Sequence, residues 1–211
     1  MNTCRICGER KEIRQFYRVK GFRDYIVRRL IWCQDCQRMF IEMKKQDFNK
    51  KQLETAIKNS EYKIPEFKSA NFVASYHSYG DEPATGGLNS EILKSGKTLL
   101  LPRVRKDMDL DWISWTGDPK ELIKKGNFFE PNGEPIDSTQ IDFVIIPCLH
   151  VNRAGYRLGQ GGGSYDRALS KMRAFRIGLI YSGEITNEDL NVEPHDQKLD
   201  AVATPELIVR F

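Results

Sequence analysis

No apolar run in the 211 residues is long enough to span a bilayer, and the N-terminus is too polar for a secretory signal. A cytoplasmic protein with no membrane partner is therefore expected. Internal repeats and low-complexity linkers are also missing, which leaves one ordinary domain, or one domain plus a small module. Cysteine is scarce, five residues in all, and four of them form Cys4-x-x-Cys7 and Cys33-x-x-Cys36, with 25 residues between the pairs. In a reducing compartment two such pairs favour a tetrahedral Cys4 zinc site over disulfides, because thiolates are soft ligands. Gly8 follows the first pair as such turns require, and Phe16, Tyr17, Phe22, Tyr25, Ile26, Val27 and Ile31 supply a miniature core that needs the metal to fold. A closed four-thiolate shell has no open position, so this zinc is expected to be structural. Cys148 stands apart beside an apolar run and reads as core.

Charge is low overall, +4, but unevenly placed: residues 1–60 carry 15 Lys/Arg against 7 Asp/Glu, and the remainder 18 against 22. That excess suits an anionic partner such as nucleic acid, or simply a solvated basic face. Gly and Pro are missing from Gln37 to Asn59, where apolar residues recur at helical intervals, so one or two helices are predicted there. Beyond Pro65, strands and helices alternate. Strands are predicted at Asn71–Tyr76, Thr98–Pro102, Leu110–Trp115 (antiparallel), 141–147, Arg176–Tyr181, 201–204 and 207–209, and helices at Leu88–Lys94, Lys120–Lys125 and 166–174. Such alternation indicates an α/β fold whose ligands gather where the loops at 77–85 and 148–165 leave the strands.

The most informative stretch is Tyr156-Arg157-Leu158-Gly159-Gln160-Gly161-Gly162-Gly163-Ser164-Tyr165-Asp166-Arg167. Glycines without Cβ atoms let a chain aim successive N–H groups at phosphate oxygens. No Lys-Ser/Thr follows them as in a P-loop, and the spacing is not the dinucleotide fingerprint. A tight surface turn is the alternative. Arg157 and Arg167 suit phosphate and Asp166 suits its Mg2+, although Asp166 is also placed to cap the following helix.

Pro147 through Leu169, centred on Arg157-Leu158-Gly159-x-Gly161-x-Gly163-x-Tyr165-Asp166-Arg167, resembles the signature of the 5-formyltetrahydrofolate cyclo-ligase (methenyltetrahydrofolate synthetase) family. The order of other segments is similar: Tyr76 to Thr85 with Glu82-x-x-Thr85, Gly96 to Pro102, Glu130-Pro131, Glu193-Pro194-His195-Asp196, Asp200 and Thr204. The likeness runs from about residue 50 onward, so the chain is divided into a zinc-ribbon-like Cys4 module at 1–45 and a cyclo-ligase-like α/β domain at 46–211. The resemblance implies a Rossmann-like three-layer fold with a mainly parallel sheet. It also implies an ATP- and Mg2+-dependent ligase that cyclises 5-formyltetrahydrofolate to 5,10-methenyltetrahydrofolate with release of ADP and phosphate.

By the same resemblance Arg157, Leu158, Gly159, Gln160, Gly161, Gly162, Gly163, Ser164 and Tyr165 bind ATP, with Arg157, Tyr165 and Asp166 catalytic. Asp166 and Asp196 hold Mg2+, and His77 and Glu82 face the folate, a carboxylate being able to accept paired hydrogen bonds from a pterin's amino-pyrimidinone edge. For His77 a packed strand residue is the equal alternative. The chain departs from the pattern at Gln160, at Ser164 where an aromatic residue is usual, and at Pro147–Asn152, and the cysteine module occupies the place of the family's basic N-terminal helix. These departures and the basic segment define a rival reading: an inactive or repurposed nucleotide-binding platform carrying a nucleic-acid-binding zinc ribbon.

Overall fold

The computed structural model describes residues 2–3, 10–11, 64–80, 82–181, 183–186, 190–204 and 207–211. The chain divides into two compact units, Met1–Asn49 and Lys50–Phe211. In the first, β1 (Asn2–Thr3) pairs antiparallel with β2 (Arg10–Lys11). Cys4, Cys7, Cys33 and Cys36, and the helices expected over 37–59, lie outside the described residues.

The second unit is a mixed α/β fold with a large, mostly parallel sheet. A one-turn helix α1 (Pro65–Ser69) leads into β3 (Phe72–Ala74), followed by α2 (Gly86–Lys94), β4 (Thr98–Val104) and β5 (Leu110–Ser114). Next come a hairpin, β6 (Leu122–Lys125) with β7 (Phe128–Pro131), and then β8 (Pro135–Ile136) and β9 (Phe143–Pro147). A second hairpin, β10 (His150–Asn152) with β11 (Arg157–Leu158), precedes α3 (Ser164–Leu169). The chain continues through β12 (Phe175–Leu179), β13 (Ile185–Thr186), β14 (Ala201–Ala203) and β15 (Ile208–Arg210).

Eight strands form the sheet in the order β15-β14-β12-β9-β3-β4-β5-β8; β14, β12, β9, β3 and β4 are mutually parallel, and the edges are antiparallel. Taken alone, the parallel strands follow the 2-1-3-4-5 order of doubly wound sheets, whose direction of winding reverses between β3 and β9. β9 is central because Phe143-Val144-Ile145-Ile146 is apolar on both faces, and all four side chains are buried. Leu99, Leu100 and Leu101 do the same for β4. Close packing fixes Gly178 of β12: a Cβ there would come within 2.8 Å of Cys148 Sγ and of a Leu199 methyl.

Three sequence expectations fail locally. Lys120–Lys125 is not helical; a 3-10 turn at Pro119–Glu121, capped by Asp118 Oδ1 accepting from Lys120 N at 2.9 Å, runs directly into β6. The hairpin forms because Gly126 adopts φ +61° at the first position of the two-residue turn before Phe128. The helix expected over 166–174 starts earlier and stops at Leu169, and the segment expected as a loop over 148–165 holds the β10–β11 hairpin before the glycine stretch.

Candidate active site

The loop leaving β3 is tied to itself before it meets anything else. Ser78 and Thr85 exchange reciprocal bonds, Ser78 N to Thr85 Oγ1 at 3.1 Å and Thr85 N to Ser78 Oγ at 3.0 Å. The buried carbonyl of Tyr76 accepts from Thr85 Oγ1 at 2.6 Å and from Asn89 Nδ2 at 3.0 Å. A turn at Gly80, φ +59°, brings Glu82 N to Tyr79 O at 3.3 Å, and Tyr79 N donates to Glu82 Oε2 at 3.1 Å. Glu82 is thereby fixed at the carboxyl end of β3, beside the point where the winding reverses. Burial outweighs the Tyr79 bond and pushes its carboxyl up to about 7.

The glycine stretch reaches the same place. Tyr79 Oη donates to Gln160 Oε1 at 2.6 Å, and Gln160 Nε2 donates to Glu82 Oε1 at 3.2 Å. A third loop, leaving β12, adds Tyr181 Oη, which donates to the Glu82 carbonyl at 3.2 Å. Tyr165, on α3, packs edge-on against Trp112 with centroids 6.2 Å apart. Burial raises its phenol far above the ordinary value; Glu82 adds to the rise and Arg157 opposes it, so the hydroxyl remains a neutral donor within this cluster. Cys148 has the character of core: buried, with its thiol pushed up to about 12, chiefly by desolvation.

Gly161 and Gly163 have φ of +86° and +63°, and among the described residues the N–H groups of 159–163 meet no acceptor. The loop is thus a set of unspent donors, as an anion cradle requires. The cations beside it are committed elsewhere. Arg157 is buried, its side chain 4% exposed; Nη2 lies 2.9 Å from Asp166 Oδ1 and Nη1 donates to Gln197 O at 2.9 Å. Arg167 donates from Nε and Nη2 to Met108 O, at 3.3 and 2.9 Å, and from Nη2 to Gly162 O, stapling the loop. Sequence reasoning missed Met108, whose left-handed backbone, φ +64°, is uncommon for a residue with a Cβ and presents that carbonyl.

Asp166 occupies the first turn of α3 while Gly163 holds the cap position, so it does not cap the helix. Among the described residues its polar contacts fall on Oδ1, from Arg157 and from Gln197 N at 2.9 Å. Asp196 immediately precedes Gln197, and its Oδ2 accepts from Glu193 N at 2.8 Å. The two aspartates therefore border one short segment. Among the described residues no three His, Cys, Asp or Glu side chains group as a complete protein-only metal site. Magnesium in nucleotide sites needs only one or two carboxylates, the rest coming from phosphate and water, so two aspartates are chemically sufficient for it.

His77 lies 5.4 Å from the Phe129 ring and 6.3 Å from Trp115, and among the described residues its buried Nδ1 has no hydrogen-bond partner. Tyr79 packs against Phe128 at 5.9 Å. The β6–β7 hairpin thus sets Phe128 against Tyr79 and Phe129 against His77, contacts that the sequence concealed because Lys120–Lys125 reads as helix. A separate cavity of about 160 Å3 between β5, β8 and the end of α3, lined by Trp112, Ser138 and Lys171 among others, contains none of these site residues.

A doubly wound sheet with a glycine-rich donor loop and a raised carboxylate at its winding reversal defines a nucleotide- or anion-handling α/β protein. The sequence model of the 5-formyltetrahydrofolate cyclo-ligase family matches residues 35–205, and the chain belongs to that family. It is 32% identical over 148 residues to the 5-formyltetrahydrofolate cyclo-ligase of Mycolicibacterium smegmatis, covering 65% of this chain and 75% of that protein. It is 28% identical over 165 residues to a probable 5-formyltetrahydrofolate cyclo-ligase of Schizosaccharomyces pombe, covering 70% and 81%. Among solved structures, the 5,10-methenyltetrahydrofolate synthetase of Aquifex aeolicus aligns with TM-score 0.65 and 28% identity, over 82% of this chain and 90% of that one. No helix among the described residues is long and apolar enough to cross a membrane.

Proposed function

We propose that this chain catalyses the ATP- and Mg2+-dependent conversion of 5-formyltetrahydrofolate to 5,10-methenyltetrahydrofolate. The observation that carries the reading is the Gln160 bridge, which sets the donor loop against Glu82 where the winding reverses. Glu82 and His77 would take the pterin, a flat ring system suited to the aromatic surroundings that Phe129 gives His77 and Phe128 gives Tyr79. The N–H groups of 159–163 would hold the ATP phosphates, and Tyr165 is a neutral hydroxyl donor beside them. Asp166 and Asp196 would hold Mg2+, which, when bound, neutralises charge on the transferring phosphoryl group.

In the reaction the formyl oxygen attacks the γ-phosphorus and the bond to ADP breaks. N10 then attacks the activated carbon, its proton passes to solvent, and phosphate leaves with the former formyl oxygen as the methenyl bridge closes. Arg157 acts by fixing Asp166 rather than by meeting phosphate, given that its guanidinium is already paired. Most of the rate effect is then positioning and charge neutralisation.

The rest of the reading is a Rossmann-like three-layer domain at 46–211, a structural zinc in the module at 1–45, and a cytoplasmic location. Elemental analysis tests the zinc. A salt-dependent titration tests nucleic-acid binding by the basic segment. Product absorbance tests the reaction: methenyl formation is expected only with ATP, Mg2+ and 5-formyltetrahydrofolate together, and is expected to be lost in Asp166→Ala. A wild-type protein that binds ATP but forms no product would instead support the repurposed platform.

A further inference from the structure

Glu82 has two oxygens, and both are taken without any ligand: Oε2 by the Tyr79 backbone N–H at 3.1 Å, Oε1 by the Gln160 carboxamide at 3.2 Å. The other end of the same carboxamide accepts from Tyr79 Oη at 2.6 Å. One primary amide thus offers an N–H to the carboxylate and a carbonyl to the phenol. An amino-pyrimidinone edge presents the same pair of groups, adjacent N–H donors beside a carbonyl acceptor. Gln160 is exposed and carries the one side chain in a loop otherwise made of glycines, whose backbone Arg167 holds at Gly162 O, so among the described residues its reach to Tyr79 and Glu82 is the hydrogen-bonded side-chain tie between this loop and the β3 loop.

We propose that Gln160 is a positioning residue that acts as a ligand-displaced latch, holding the glycine loop against the β3 loop until a ligand with an amide-like donor–acceptor edge takes over Glu82 and Tyr79. The inference rests on the proposed reading of Glu82 as the folate contact. Ligand entry must break both carboxamide bonds, so the latch lowers apparent affinity, while the loop stays anchored in the free protein. The Gln160 amide is an imperfect substitute for the substrate: it is exposed, and water competes for its bonds. The effect is therefore modest, roughly two- to tenfold in affinity for one exchanged hydrogen-bond pair.

The test uses the full chain, calorimetric binding of 5-formyltetrahydrofolate without ATP, and amide exchange of residues 159–163 in the free protein. Gln160→Ala is expected to bind the folate roughly two- to tenfold more tightly and to exchange faster across the loop. Gln160→Glu, which sets a second carboxylate against Glu82, is expected to free the loop in the same way. A residue with only a structural role would weaken binding when removed. Unchanged or weaker folate binding by Gln160→Ala, while Glu82→Ala loses the folate, overturns the latch and leaves the reading of Glu82 standing. If Glu82→Ala binds the folate as well as wild type, the reading fails and takes the latch with it.

Discussion

At Glu82 the loss of water outweighs one backbone hydrogen bond, so the folded protein holds this proton more tightly than the unfolded chain, about 7 against an ordinary 4.5. The stability linked to it is fully present below the unfolded value and is lost as pH rises through the folded one. Wild type is therefore expected to lose on the order of 2 kcal/mol relative to Glu82→Gln between pH 4.5 and 8, read from urea midpoints. Folate affinity is expected to move the opposite way, rising from pH 6 to 8 in wild type and staying flat in Glu82→Gln, since the ionised carboxylate is the better acceptor. The Arg157–Asp166 pair gives a second residue-scale expectation. Arg157→Ala leaves a largely buried carboxylate without its counter-charge, and is expected to cost about 3–5 kcal/mol in urea denaturation as well as turnover.

Among the elements, the glycine loop depends on backbone conformations that side chains resist. Gly163→Ala, at φ +63° with its new Cβ 3.1 Å from Arg167 Nη1, is expected to cost about 1–2 kcal/mol of loop strain. A rise in the ATP KM with little change in folate binding, read by steady-state kinetics, would place that strain in the phosphate cradle. Gly178→Ala strains the core instead: overpacking against Cys148 and Leu199 is expected to cost about 1–3 kcal/mol with both KM values unchanged. Elements were legible in the sequence where burial was total. Leu99-Leu100-Leu101 of β4 and Phe143-Val144-Ile145-Ile146 of β9 are unbroken apolar runs buried on both faces, and both read as strands in the sequence. Leu122-Ile123-Lys124-Lys125 suited either a helix or a strand, and only the left-handed Gly126 decides for the hairpin. β10, β11 and β13, two or three residues each, are too short to carry a period and exist because they pair with one another. Likewise Glu82 and the glycines stood out as residue types, whereas the Gln160–Glu82 contact spans 78 positions and depends on how the loops fold back.

For the molecule as a whole, the strand order puts the reversal of winding at the carboxyl ends of β3 and β9, where the Glu82 and glycine loops meet through Gln160. The departures from the family pattern cluster there too: Gln160 takes a partner across the site, and Asn152 closes the β10–β11 turn by accepting from Ala154 N and Tyr156 N at 3.1 and 2.9 Å. The central claim is that the two ligands react in a single site, and its most direct measurement is the ratio of ADP released to methenyl product formed, followed together in one reaction of the wild-type protein. One ADP per methenyl group is expected, with no ADP when 5-formyltetrahydrofolate is left out. ADP released at the same rate without the folate, or with it but without methenyl product, would contradict the account.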